Sequence, residues 1–142
     1  MAVAVFDADV LIAYLGRDDA NHTEAVERMR RALAPGTRRL LSAVNYTEVL
    51  IGPFQKAGVA GAEIVDAMLV RFNIETIQVD MALARRAAAV RARTRLKLPD
   101  AYALATAIHA EKRGHPDVRL ETFDEKVIKG YNALHPLSAE FD

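Results

Sequence analysis

At 142 residues the chain has the length of one domain, residues 1–142, and its 19 acidic and 19 basic side chains cancel, so bulk charge specifies neither a nucleic-acid coat nor a membrane patch. The absence of cysteine excludes disulfides and thiolate metal sites and fits a cytoplasmic compartment. No stretch approaches the ~20 apolar residues of a membrane span, and the apolar amino terminus lacks a basic leader and is broken by Asp7 and Asp9, so it does not read as a signal peptide.

Residues 2–6 read as a first strand, followed by a short helix over 9–15. A longer helix is expected over 19–34, where His22, Val26, Met29 and Leu33 recur at helical spacing until Pro35-Gly36 stops the pattern. "RRLLSA" supplies strand two. A helix over 44–56, a glycine-flanked break at 58–61 and a helix over 62–71 lead to "NIETIQV", strand three. Residues 80–97 form an amphipathic helix with Leu83, Ala87, Val90 and Thr94 on one side, and Pro99 opens the next, over 100–113. "VRLET" is strand four, 124–129 a short helix and "ALHPL" a weak fifth strand. Strands alternating with helices imply an α/β domain whose mostly parallel sheet is covered on both faces.

Four acids stand at telling places in this pattern. Asp7 ends strand one, Glu48 falls in the early turns of the helix after strand two, Asp100 opens a helix whose stripe includes Leu104 and Ile108, and Asp124 follows strand four. Glu48 shares a face with Val44 and Ile51 and is expected to point inward. The carboxyl edge of an open parallel sheet is where such positions converge. Carboxylates packed together raise one another's pKa and strain the fold unless protons or cations compensate. Hard divalent cations such as magnesium and manganese take oxygen ligands, activate bound water and neutralise phosphodiester charge. His22, His109, His115 and His135 show no zinc spacing and read as packing or surface residues.

The segments "VFDADVLIAYL", "NYTEVL", "LPDAYALATA" and "LETFD" resemble, in this order, the four acidic motifs of the PIN-domain family, and at this length are most similar to VapC-type toxins of bacterial toxin–antitoxin pairs. The resemblance implies a three-layer α/β/α fold and a magnesium- or manganese-dependent endoribonuclease with Asp7, Glu48, Asp100 and Asp124 as metal-binding catalytic acids. It also implies a homodimer inhibited by a cognate antitoxin. The amphipathic pieces at 19–34 and 44–71 offer a groove for an antitoxin tail, whose basic side chain would compete with metal among the acids.

Two departures from the family pattern stand out. Asp9 occupies a position where the family more often has a small hydroxyl or amide residue, which leaves three roles open: a further ligand, a group orienting a metal-bound water, or a helix cap. Strand four carries Arg119 and Glu121 where a strand buried on both faces would be apolar. Thr122 has two readings, an ordinary strand threonine or a group that orients a ligand or water.

With the four acids set aside, 15 acidic residues face 19 basic ones. Arg85, Arg86, Arg91, Arg93, Arg95 and Lys97 populate the helix leading into Asp100, with no acid among residues 81–99. That helix either holds RNA phosphates or is a solvated face. Aromatic residues are few, so a base-stacking platform is not indicated. A rival enzyme reading takes "FDAD" as the Asp-x-Asp of haloacid-dehalogenase-like phosphatases, with Asp7 as nucleophile and Asp9 as acid, although Val10-Leu11 replaces the usual Gly-Thr. A catalytically inactive PIN-like binding module is the third.

Overall fold

The computed structural model describes residues 1–142. In chain order the elements are β1 (Ala2–Phe6), α1 (Ala8–Leu15), α2 (His22–Ala32), β2 (Thr37–Ser42), α3 (Ala43–Arg71), β3 (Ile74–Ile77), α4 (Met81–Thr94), α5 (Leu98–Lys112), β4 (Asp117–Glu121) and α6 (Glu125–Ala133). A last 3-10 turn spans Ala139–Phe141. The four strands form one sheet in the order β3-β2-β1-β4, and every pairing is parallel. No helix is long and apolar enough to cross a membrane.

The apolar run of β1 reflects its place inside this sheet. Ala4 and Phe6 pack with α1, α2 and α3 on one face, whereas Val3 and Val5 meet Ala107 and Ala110 of α5 on the other. Side chains alternate across a strand, so a strand covered on both faces must be apolar at every position. The register Phe6↔Glu121 and Val5↔Leu40 sets the ends of β1, β2 and β4 side by side. Their helices therefore start from one edge.

β4 lies at the border of the sheet, with Asp117 exposed and none of its residues fully buried. The sequence places Arg119 and Glu121 awkwardly for a covered strand, and the edge position relieves this only in part: the largely buried Glu121 carboxylate lies 3.9 Å from Arg28, and Arg119 Nε is buried without a partner. "ALHPL" forms no fifth strand. Instead α6 runs to Ala133, and Leu134 and Phe141 bury themselves with α4 and α5. Helix α2 also turns a different face inward from the one its spacing indicates. Ala25, Met29 and Ala32 are buried in the cluster shared with α1, while Val26 and Leu33 are 42% and 40% exposed. Helix α4 stops at Thr94 rather than 97, where Arg95 adopts a left-handed conformation.

The break expected at 58–61 is a sharp bend inside α3. Gly58 takes φ 58°, ψ −138°, a conformation open mainly to glycine, and the two arms fold back on each other. Tyr46 Oη donates to Asp66 Oδ1 across them at 2.5 Å. A Cβ at Gly61 would stand 2.0 Å from the Pro53 carbonyl oxygen. Gly61→Ala is therefore expected to destabilise the protein by about 3 kcal/mol, the upper range for overpacking, as read by urea unfolding.

Candidate active site

The first acid is held by its own helix. Asp7 follows β1 and caps α1, accepting from Ala8 N at 2.8 Å, while its other oxygen accepts from Thr122 Oγ1 at 2.8 Å. It is only 4% exposed. Burial, then the charges of Asp9 and Asp100, push its pKa up to about 7, against the opposing pull of the Thr122 and Ala8 hydrogen bonds.

Asp9, in the first turn of α1, reaches across to the loop after β4. Its Oδ2 accepts from Phe123 N at 2.9 Å and lies 3.4 Å from Thr122 Oγ1. Its Oδ1 is buried without a hydrogen-bond partner. Burial raises its pKa first, against the opposing pull of the Phe123 and Val10 backbone N–H groups and of Thr122, and the Asp124 charge adds to the rise. A carboxylate oxygen sealed from water with no donor is costly unless a proton or cation meets it. The cap of α1 is Asp7, and Asp9 instead bonds the loop after β4.

Asp100 sits in the first turn of α5, and Asp124 caps α6 by accepting from Lys126 N at 2.9 Å. The Asp100 pKa is raised by burial and then by Asp124, Glu48 and Asp9. These mutual influences join Asp7, Asp9, Glu48, Asp100 and Asp124 into one electrostatic cluster. Leu104 and Ile108 are fully buried along the Asp100 stripe.

Glu48 belongs to the cluster by another route than an inward-facing stripe. Its neighbour on that face, Ile51, is 52% exposed, so the face borders an open groove rather than the core. Asn45 fixes the carboxylate instead, since Nδ2 donates to Glu48 Oε1 and to the Pro99 carbonyl, each at 3.0 Å. Ser42 in turn accepts from Asn45 N and donates to Asn45 Oδ1 at 2.6 Å. The Ser-x-x-Asn spacing at a strand–helix junction was the available signal for the cap, but the link to Pro99 crosses 54 residues and leaves no local trace. Asn45→Ala is expected to cost about 1–3 kcal/mol by orphaning the buried Ser42 hydroxyl and the Pro99 carbonyl, measurable by urea unfolding.

Thr122, fully buried, ties the two halves of the cluster together. Its hydroxyl faces Asp7 and Asp9 as donor and accepts from Asp124 N at 3.1 Å. Arg28 of α2, which sequence patterning does not single out, donates to the Thr122 carbonyl at 3.2 Å and lies over the Phe123 ring at 5.1 Å. The histidines stay apart from the acids. His22 donates to the Ala13 carbonyl, His109 meets Arg86, His115 meets Arg38 and His135 meets Glu111.

No three acidic groups form a ready-made ligand cage as they stand. A hydrated hard cation needs only one or two direct carboxylates. An all-oxygen donor set, a raised Asp7 and a partnerless Asp9 oxygen fit such a cation, and the absence of cysteine and histidine from the cluster disfavours softer metals.

The sequence profile of the PIN domain matches residues 4–131. The chain belongs to the PIN domain family. Among solved structures, this PIN chain is similar to the sarcin-ricin-loop-cleaving toxin VapC20 of Mycobacterium tuberculosis, with 18% identity, a TM-score of 0.65 and coverage of 94% of this chain and 95% of that one. It is likewise similar to a chain of a toxin–antitoxin complex from Klebsiella pneumoniae, with 27% identity, a TM-score of 0.65 and 92% of each chain covered. VapBC-1 of nontypeable Haemophilus influenzae shares 14% identity at a TM-score of 0.64, over 92% of this chain and 93% of its own. No curated protein matches by sequence. The PIN fold, a parallel sheet between helical layers, is thus the fold of this chain.

Proposed function

We propose that residues 1–142 form a single PIN-like domain acting as a divalent-metal-dependent endoribonuclease, the toxin of a cytoplasmic toxin–antitoxin pair. The observation that carries this reading is the buried carboxylate cluster with its partnerless Asp9 oxygen. Asp7, Glu48, Asp100 and Asp124, supported by Asp9, would hold magnesium or manganese. Such an ion, when bound, supplies an activated water and neutralises charge on the phosphodiester. Thr122 orients Asp7 and Asp9, and Asn45 holds Glu48 toward the start of α5. Basic side chains near Asp100 bind the RNA backbone.

The phosphatase reading needs Asp7 as a free nucleophile. Both its oxygens are engaged by hydrogen bonds and its raised pKa leaves a substantial protonated fraction near neutral pH, which disfavours attack. An inactive binding module would have no use for a strained acidic cluster.

The antitoxin reading draws on a second feature. A groove of about 800 Å³ runs between α1 and the two arms of α3, lined by Ile12, Leu15, Ile51, Pro53 and Ile64, with Glu48 at its acidic side. Ile51 and Ile64 are 52% and 61% exposed. An amphipathic antitoxin segment fits this surface, and a basic side chain on it would meet the acids through Glu48. The similar Klebsiella pneumoniae structure is itself a toxin–antitoxin complex.

The test is an incubation of purified protein with RNA labelled at both ends, beside p-nitrophenyl phosphate. Internal RNA cuts with the phosphomonoester left intact support the nuclease; hydrolysis of the phosphomonoester alone supports the phosphatase, and neither reaction supports the module. A monomer by light scattering at micromolar concentration, together with an adjacent gene product that neither binds nor suppresses cutting, would remove the toxin assignment.

A further inference from the structure

A second depression, a cleft of about 680 Å³, opens onto the other side of the acidic cluster, at Asp100 and Asp124. One wall is the connection from α4 to α5, bearing Arg95 and Lys97, and the other is α6, bearing Lys126 and Lys129 one turn apart. The wall of α6 comes close because Gly130 faces the connection. A Cβ there would stand 3.1 Å from Leu96 Cδ1 and 3.4 Å from Thr94 Cγ2. The floor is thus apolar and the rims are cationic.

None of these four cations forms an ion pair within the molecule, although Lys97 lies near enough to Asp100 to lower its pKa. The ion pairs of the molecule use Arg28, Arg30, Arg31, Arg38, Arg93, Lys112 and His135. Within the basic helix, Arg86 bonds the Phe141 carbonyl, Arg91 the Leu96 carbonyl, and Arg93 pairs with Glu140. Only its last turn and the segment beyond it reach the cleft.

Arg95 carries an independent mark. It ends α4 at φ 62°, ψ 15°, in the left-handed region where glycine or asparagine is the favoured cap and a long side chain is strained. Its backbone N–H closes the helix on the Arg91 carbonyl at 2.8 Å, a bond any residue would make. The backbone gains nothing from arginine there.

We propose that this cleft holds the backbone of a single-stranded RNA segment beside Asp100 and Asp124, with Arg95, Lys97, Lys126 and Lys129 as its phosphate contacts. The proposal rests on the nuclease reading and deepens it by fixing the path of the substrate. A charged groove that follows one backbone is the general mode for single strands. No aromatic side chain lines this one, so contacts there read the backbone and not the bases.

The test measures binding of a labelled 12-nucleotide RNA by fluorescence anisotropy over a potassium chloride series, in chelator to suppress cutting, for wild type, Arg95→Gly and Lys126→Ala/Lys129→Ala. Each single-strand phosphate contact contributes about 0.7 to the slope of log affinity against log salt. The slope is expected to become shallower by about 1.4 in the double lysine variant and about 0.7 in Arg95→Gly. Arg95→Gly should also melt at or above the wild-type temperature, and a duplex of the same length should bind at least tenfold more weakly. Unchanged slopes in both variants, equal duplex affinity, or a lower melting temperature for Arg95→Gly would overturn the assignment. Metal-dependent cutting assayed in parallel separates the two readings: wild type that cuts RNA without cleft dependence refutes only the cleft, and wild type that binds through the cleft but never cuts refutes only the nuclease.

Discussion

Asp7→Asn is expected to raise the stability of the metal-free protein at pH 7.5 by about 2 kcal/mol while lowering RNA cleavage by more than 100-fold, on the order of or beyond the loss seen for outer-shell partners of metal sites. In the folded protein Asp7 has its pKa pushed up to about 7 from 3.8, so its ionised form is penalised by as much as about 4 kcal/mol at 1.36 kcal/mol per pKa unit. Asparagine removes the charge and keeps the shape. Its oxygen can accept from Ala8 N, its amide can donate to Thr122 Oγ1, and the threonine proton then turns to Asp9 Oδ2, already 3.4 Å away. Roughly half the penalty is recovered because the amide must itself be buried. Thermal melting in chelator should show a rise of about 5 °C. A variant that melts lower and still cleaves RNA would contradict the placement of Asp7.

The second large effect is an inverted pH dependence. A carboxyl whose folded pKa exceeds its unfolded value binds a proton in the folded state that the unfolded chain lacks, so stability falls as pH rises between the two values. For Asp7 that window runs from about 4 to about 7, and the raised values of Asp9 and Asp100 act with the same sign. Metal-free protein should therefore gain about 2–3 kcal/mol between pH 7 and pH 5, at most 1.36 kcal/mol per pH unit from Asp7. Excess magnesium should restore most of the neutral-pH loss, because a cation that binds the folded cluster stabilises it by mass action. Urea unfolding at the two pH values, with chelator and then with magnesium, reads both effects. Stability that rises steadily from pH 5 to pH 7 in chelator would show that the acids are not coupled.

Much of this was written locally in the chain. The apolar run of β1 required burial on both faces, and Asp7 at its end could only emerge at the sheet edge, where Pro99 also starts the helix carrying Asp100. The misread parts depend on contacts far apart in sequence. Alternation in "ALHPL" mimics a strand, yet Leu134 and Phe141 are drawn into the α4–α5 core. The α2 stripe lies elsewhere because its buried positions include Ala25 and Ala32, and alanines weigh little in a hydrophobic pattern. Glu48 joined the acids through Asn45 and Pro99, and Arg28 braces the Thr122 loop from across the sheet. No periodicity encodes such pairings. Strand four read as anomalous partly because its edge position is a property of topology.

The most direct measurement of the central claim follows RNA cleavage by wild type and Asp100→Asn in chelator, then in excess magnesium or manganese, with the ends of the products mapped. Internal cuts that vanish in chelator, return with metal and are absent from a folded Asp100→Asn are the expected result. Cutting that ignores chelator, or that survives in the variant at the wild-type rate, would contradict the account.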